Sequence, residues 1–110
     1  GFVVDASTRA VLVRGIGPAL AGFGVAGALA DPQLRVFRDT QLVVENNDWS
    51  VVSNATALAA TAQSVGAFAL PSGSQDAVLL LTLPPGAYTA QVSGMGGASG
   101  IALVEVYEVP

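Results

Sequence analysis

Apolar residues along this chain fall in short runs of aliphatic and β-branched side chains, broken by glycine and proline. That is the pattern of strands rather than of long helices. Residues 1–4 (GFVV) and 9–16 (RAVLVRGI) read as strands. The stretch that follows, 15–32, holds five glycines and two prolines and predicts an ordered loop, with Pro18 opening a short helical turn over residues 19–21. Residues 33–38 alternate Leu34 and Val36 on one face with Arg35 and Phe37 on the other. A turn at Asp39 and Thr40 leads into 41–45, which makes a hairpin.

Asn46, Asn47 and Asp48 form a further turn before Trp49. Residues 54–65 (NATALAATAQSV) are the one alanine-rich segment that favours helix, with Gly66 placed to end it. The continuous apolar run 76–83, the Pro84-Pro85-Gly86 turn and the alternating 87–93, with Tyr88, Ala90 and Val92 inward, predict a second hairpin. A glycine-rich turn at 95–100 then leads into 101–109, where Ala102, Val104 and Val106 share one face and Leu103, Glu105 and Tyr107 the other. Strands at this spacing predict an all-β fold, an antiparallel β-sandwich or jelly-roll-like module with one short helix at 54–65, filling residues 1–110 as a single domain.

Composition narrows the function. The chain has 110 residues, 52% of them hydrophobic and 11% charged, so it carries enough apolar surface for a core. Four arginines and no lysine against eight carboxylates give a net charge of −4, which supplies no cationic patch for phosphates and argues against nucleic acid. Absence of cysteine removes disulfides, thiolate metal sites and thiol nucleophiles. The longest apolar run, 77–83, is far below the ~20 residues of a membrane helix, so no membrane insertion is expected. The chain opens on Gly1 with no basic-then-apolar leader, as mature or excerpted material does. So few charges leave much of the surface apolar or weakly polar, which favours self-association.

Catalytic groups are scarce. Gly22, Gly24 and Gly27 spell G-x-G-x-x-G, but Pro18 and Pro32 deny it the strand-to-helix context that a dinucleotide fingerprint needs, so these are turn glycines. Without histidine or lysine, acid-base work falls to carboxylates; Glu45 with Asp48 or Asp76 is the only grouping to consider, and turn chemistry explains it better. No enzyme is expected. Asp39, Asn46, Asn47 and Asp48 are hard oxygen ligands in turns and make calcium the one candidate cofactor, although their spacing is not that of an EF-hand. Asn54-Ala55-Thr56 is a glycosylation sequon at the start of the helix, where Asn54 is also a candidate N-cap. Phe2, Val3 and Val4 at one end and Leu103 and Tyr107 on the last strand offer apolar edge surface for assembly contacts.

The segments RGIGPALAGFGVAGALADPQL, ENNDW, VGAFAL, LPPGAYTAQVSGMGG and GIALVEVYEV resemble, over nearly the whole chain, a repeated module of large secreted and surface proteins of environmental bacteria. The order of LRVF, NND and LPPGAYTAQVSG is more loosely similar to the β-sandwich of the pre-peptidase C-terminal type, which is what implies calcium at Asn46, Asn47 and Asp48. The first resemblance implies a cell-surface or extracellular structural role and a module short of one strand, its groove open to a strand from a neighbour. The expectation is therefore an extracellular subunit that associates with other copies of itself as filament or tandem array, with a glycan at Asn54. The alternative is a carbohydrate-binding or adhesion module, using Trp49 and the 46–48 turn on a polysaccharide.

Overall fold

The computed structural model describes residues 1–51 and 54–110 and forms two antiparallel sheets with a helix on one of them. The strands are β1 (Phe2–Val4), β2 (Arg9–Ile16), β3 (Pro32–Arg38), β4 (Gln41–Asn46), β5 (Ala77–Leu83), β6 (Gly86–Gly94) and β7 (Leu103–Val109); the helix α1 spans Ala55–Ser64. The first sheet runs β1-β6-β3-β4 and the second β5-β2-β7. This is the predicted antiparallel sandwich.

Alternation sorts the core. Leu34 and Val36 of β3, Tyr88 of β6 and Val4 of β1 meet Val11 and Val13 of β2 and Leu79 of β5 between the sheets. The other side of β2 is covered as well: Leu12 and Val78 pack under Leu58 and Ala62 of α1, together with Trp49 and Ala67. Central β2 is thus buried on both faces from Val11 to Ile16, which is why it reads as a nearly unbroken apolar run. Gly15 sits where a Cβ would come 2.9 Å from Val92, so the small residue lets the two sheets approach there.

The β3–β4 hairpin forms with Asp39 at φ +53° in its turn, and a bulge beyond Val36 displaces Val43 from the pairing. Helix α1 ends in a Schellman motif: Ala67 N–H donates to Ala62 O, Gly66 N–H donates to Gln63 O, and Gly66 takes φ +78°. Pro18 opens a 3-10 helix, Pro18–Phe23, slightly longer than the expected turn.

The expected second hairpin does not form. β5 pairs with β2 in one sheet and β6 pairs with β1 and β3 in the other, so Pro84 and Pro85 carry the chain between layers. Two consecutive prolines lack the N–H groups that would continue a ladder. The corner is fastened by Tyr88, whose hydroxyl donates to Pro84 O (2.7 Å), and by Arg38, whose Nη2 donates to Pro85 O (2.9 Å). The last strand also starts later than expected, at Leu103: Ile101 bridges to Ala28 instead, and its N–H donates to Gly27 O.

Candidate functional site

The strand edges differ in what protects them. β1 is three residues long, and β4 is bulged. The edge of β5 is tied down where Asn46 Oδ1 accepts from Val78 N–H (3.0 Å) and Asp76 O accepts from Trp49 N–H (2.9 Å). β7 has seven residues in unbroken register with β2, and among the described residues its other edge pairs with nothing.

The side chains of β7 show the same exposure. Val106 lies opposite Val13 and Val104 opposite Gly15, so both face the space between the sheets. Val13 is 0% exposed, yet Val104 and Val106 are each 42% exposed, because the first sheet does not reach over them. A groove of about 290 Å³ opens here, with Phe2, Val3 and Val4 on one bank and Val106 and Glu108 on the other. Arg9 and Glu108 pair across its end at 3.6 Å, both exposed, which contributes little to stability.

Phe2, Val3 and Val4 thus border this groove as a group, but only Val3, 72% exposed, is free surface. Val4 is in the core and Phe2 stacks on Tyr88, with ring centroids 5.6 Å apart. Leu103 and Tyr107 lie on the opposite face of β7, where Tyr107 packs beside α1 and its hydroxyl donates to Glu105 Oε2 (2.9 Å). Burial, and then the Glu105 carboxylate, raise the Tyr107 phenol above its ordinary pKa. The exposed valines, Val104 and Val106, belong to the face that the alternation pattern assigned away from Leu103 and Tyr107.

A second site lies under α1. Arg14 is fully buried on β2, its Nε 3.0 Å from Glu105 Oε1 and its Nη1 donating to Phe68 O (2.7 Å). The Phe68 ring lies 4.5 Å from the guanidinium carbon, and Phe23 meets Phe68 edge-on. Arg14 contributes to the lining of a cavity of about 520 Å³ between α1 and the second sheet. Nothing in the sequence distinguished this arginine from the other three except its place inside an apolar strand.

The calcium set does not converge. Asp39 sits at the hairpin turn, and the six residues of β4 separate it from Asn46 by roughly 20 Å. Asn46 is committed to Val78, and Asn47, with its amide turned to the orientation that satisfies both its N and its O, donates from Nδ2 to Pro32 O (3.2 Å) and Asp31 Oδ1 (2.6 Å). Asp48 stands beside Asp31; partial burial, and then Asp48, raise the Asp31 pKa above its ordinary 3.8. The folded chain therefore binds this proton more tightly than the unfolded chain. Its stabilising effect is full below pH 3.8 and is lost as pH rises through the raised value. Asp31→Asn is accordingly expected to raise the urea midpoint modestly at pH 7 and to leave it unchanged at pH 3, as paired denaturation curves would read.

Trp49 is buried in the layer beneath α1, and its Nε1 donates to Ser74 Oγ (3.0 Å), so its ring offers no stacking platform for a sugar. Of the candidate acid-base carboxylates, Glu45 pairs with Arg35 (2.8 Å) in the open, and Asp76 is fully buried holding loop backbone. Asn54 occupies the N-cap position of α1 and is exposed; its carbonyl accepts from Leu58 N–H, but its side chain makes no cap bond. No helix among the described residues is long and apolar enough to cross a membrane. No protein-family model, curated protein or solved structure matches the chain.

Proposed function

We propose that this chain is a non-enzymatic, extracellular structural module that associates with copies of itself through its strand edges, carrying a glycan acceptor at the exposed Asn54. The observation that supports this most is the 42% exposure of Val104 and Val106, two residues on the inner face of the sandwich, beside the unpaired edge of β7. Unpaired edge and uncovered apolar face together are what an added strand satisfies. The resemblance to repeated modules of bacterial surface proteins supports the extracellular setting.

The edge strand of a second copy is the simplest donor. Two β7 strands related by a two-fold axis at Val106 pair all seven residues of the strand, Leu103 opposite Val109 and Val104 opposite Glu108. In that register Glu105 faces Tyr107, and no glutamate opposes another. Centring the axis on Glu105 or Glu108 would set like charges across the ladder. Leu42 and Val43, each 45% exposed on β4 at the far edge of the first sheet, supply a second apolar flank through which dimers extend into a filament or array.

Sedimentation velocity over a concentration series tests this reading. Dimers and larger species are expected to grow with concentration, and Val106→Lys, an inward-facing charge on the edge strand, is expected to leave monomers at every concentration with an unchanged melting temperature. A wild-type chain that stays monomeric at millimolar concentration overturns the proposal.

A further inference from the structure

The cavity beneath α1 has the features of a binding site rather than of a packing gap. At about 520 Å³ it falls within the range of roughly 300–1,000 Å³ typical of small-molecule sites. Leu58, Ala62, Ala67, Leu70 and Val78 make its walls apolar, while the exposed Ala59 and Gln63 on α1 and Ala69 opposite them form a mouth of small or flexible side chains. A gap of this kind in an otherwise close-packed layer forfeits dispersion contacts along its whole lining.

Arg14 supplies the second observation. It is 0% exposed, and among the described residues neither its Nη2 nor its Nε has a hydrogen-bond partner, although Nε faces the Glu105 carboxylate. Buried guanidinium donors ordinarily find acceptors, because leaving one unpaired forfeits its hydration without return. Nη1 holds Phe68 O, while Nε lies 3.0 Å from Glu105 Oε1 as an ion pair without hydrogen-bond geometry. Nη2, which faces no carboxylate partner, thus belongs to the one charged side chain among the described residues that line this largely apolar cavity.

The ligand class follows from the charges. A guanidinium only donates, so the ligand must bring an acceptor. Glu105 already balances the charge of Arg14 at 3.0 Å, and Tyr107 donates to the same carboxylate. A second carboxylate here would place an uncompensated negative charge in a low-dielectric pocket. A neutral acceptor, such as a ketone, ester or amide carbonyl, avoids that cost. We propose that the cavity between α1 and the second sheet binds a small aliphatic molecule carrying a neutral carbonyl, its chain lying along Leu58, Ala62 and Val78 and its oxygen accepting from Arg14 Nη2.

Titration of the isotope-labelled chain with 2-octanone and with octanoate at pH 7.5, followed by amide chemical shifts, tests this. Saturable shifts at Leu58, Ala62 and Ala67 are expected with 2-octanone, with octanoate at least tenfold weaker. Arg14→Met combined with Glu105→Leu removes the donor without stranding its partner and is expected to weaken the ketone about tenfold, the loss of one hydrogen bond from a charged group. Ala62→Leu fills the cavity and is expected to abolish the shifts while raising stability. The assignment is overturned by absence of ketone binding, by octanoate binding as tightly, or by shifts that survive Ala62→Leu. Equal ketone affinity in the Arg14→Met, Glu105→Leu chain overturns the role of Arg14.

Discussion

Replacing Asp76 by alanine is expected to lower the unfolding free energy by about 3–5 kcal/mol, since it strands several buried polar groups at once. Asp76 is fully buried immediately before β5. Its Oδ1 accepts from the N–H groups of Gly17 (2.7 Å) and Ala19 (3.2 Å), and its Oδ2 accepts from Ser74 Oγ (2.8 Å). Gly17 and Ala19 lie at the entry of the 3-10 helix, where proline at position 18 has no N–H and no preceding turn supplies an acceptor. One carboxyl group therefore closes the whole 17–31 loop onto the second sheet.

The same side chain reaches Trp49 through Ser74 Oγ, which accepts from the indole Nε1. Trp49 is the only tryptophan, so its emission reports the network directly. Asp76→Ala is expected to shift that emission to longer wavelength, and Asp76→Asn, which keeps one acceptor oxygen, to cost about half as much. Urea denaturation followed by tryptophan fluorescence reads both quantities. An Asp76→Ala chain within 1 kcal/mol of wild type would mean that water replaces the lost acceptor.

The second large effect is at Arg14. Arg14→Met alone is expected to cost about 3–4 kcal/mol, because Glu105, with its side chain 18% exposed, loses its counter-ion while remaining inside the layer. The paired change Arg14→Met with Glu105→Leu is expected to return stability to within about 1 kcal/mol of wild type, since a buried ion pair often does no better than an apolar pair of similar volume. The difference between the double change and the sum of the singles measures the coupling. Singles that simply add would show that Arg14 and Glu105 act independently, and would leave the stacking of Arg14 on Phe68 as the main contribution of the arginine.

The Asp48 cluster illustrates how local reading and packing diverge. Asn46, Asn47 and Asp48 look like ligands because turns favour Asx residues, and the turn is real. What packing adds is a different set of partners: Val78 N–H for Asn46, and Pro32 O and Asp31 for Asn47. The acidic neighbour of Asp48 is Asp31, seventeen residues earlier in the chain, and not Asp39. No spacing rule links residues 31 and 48, so the pair could not be read before the β3–β4 hairpin brought them together.

Much was decided locally. Alternation defined the faces of β3 and β6, the alanine-rich stretch and Gly66 bounded α1, and the hairpin at Asp39 followed from its turn. These depend on backbone sterics and side-chain period, which neighbouring residues set among themselves. The choice of partner strand did not. Pro84 and Pro85 signal a turn of either kind, and only competition for pairing decided that β5 joins β2 while β6 joins β3.

The two candidate sites share this origin. Alternation places Val104 and Val106 on one face, but their exposure depends on where the other sheet ends. Likewise an arginine between Val13 and Gly15 looks like any strand residue until α1 closes over that side of β2 and Glu105 arrives from β7. A sequence specifies periodicity within elements; burial, unpaired edges and cavities arise between them, where contacts join residues far apart in the chain.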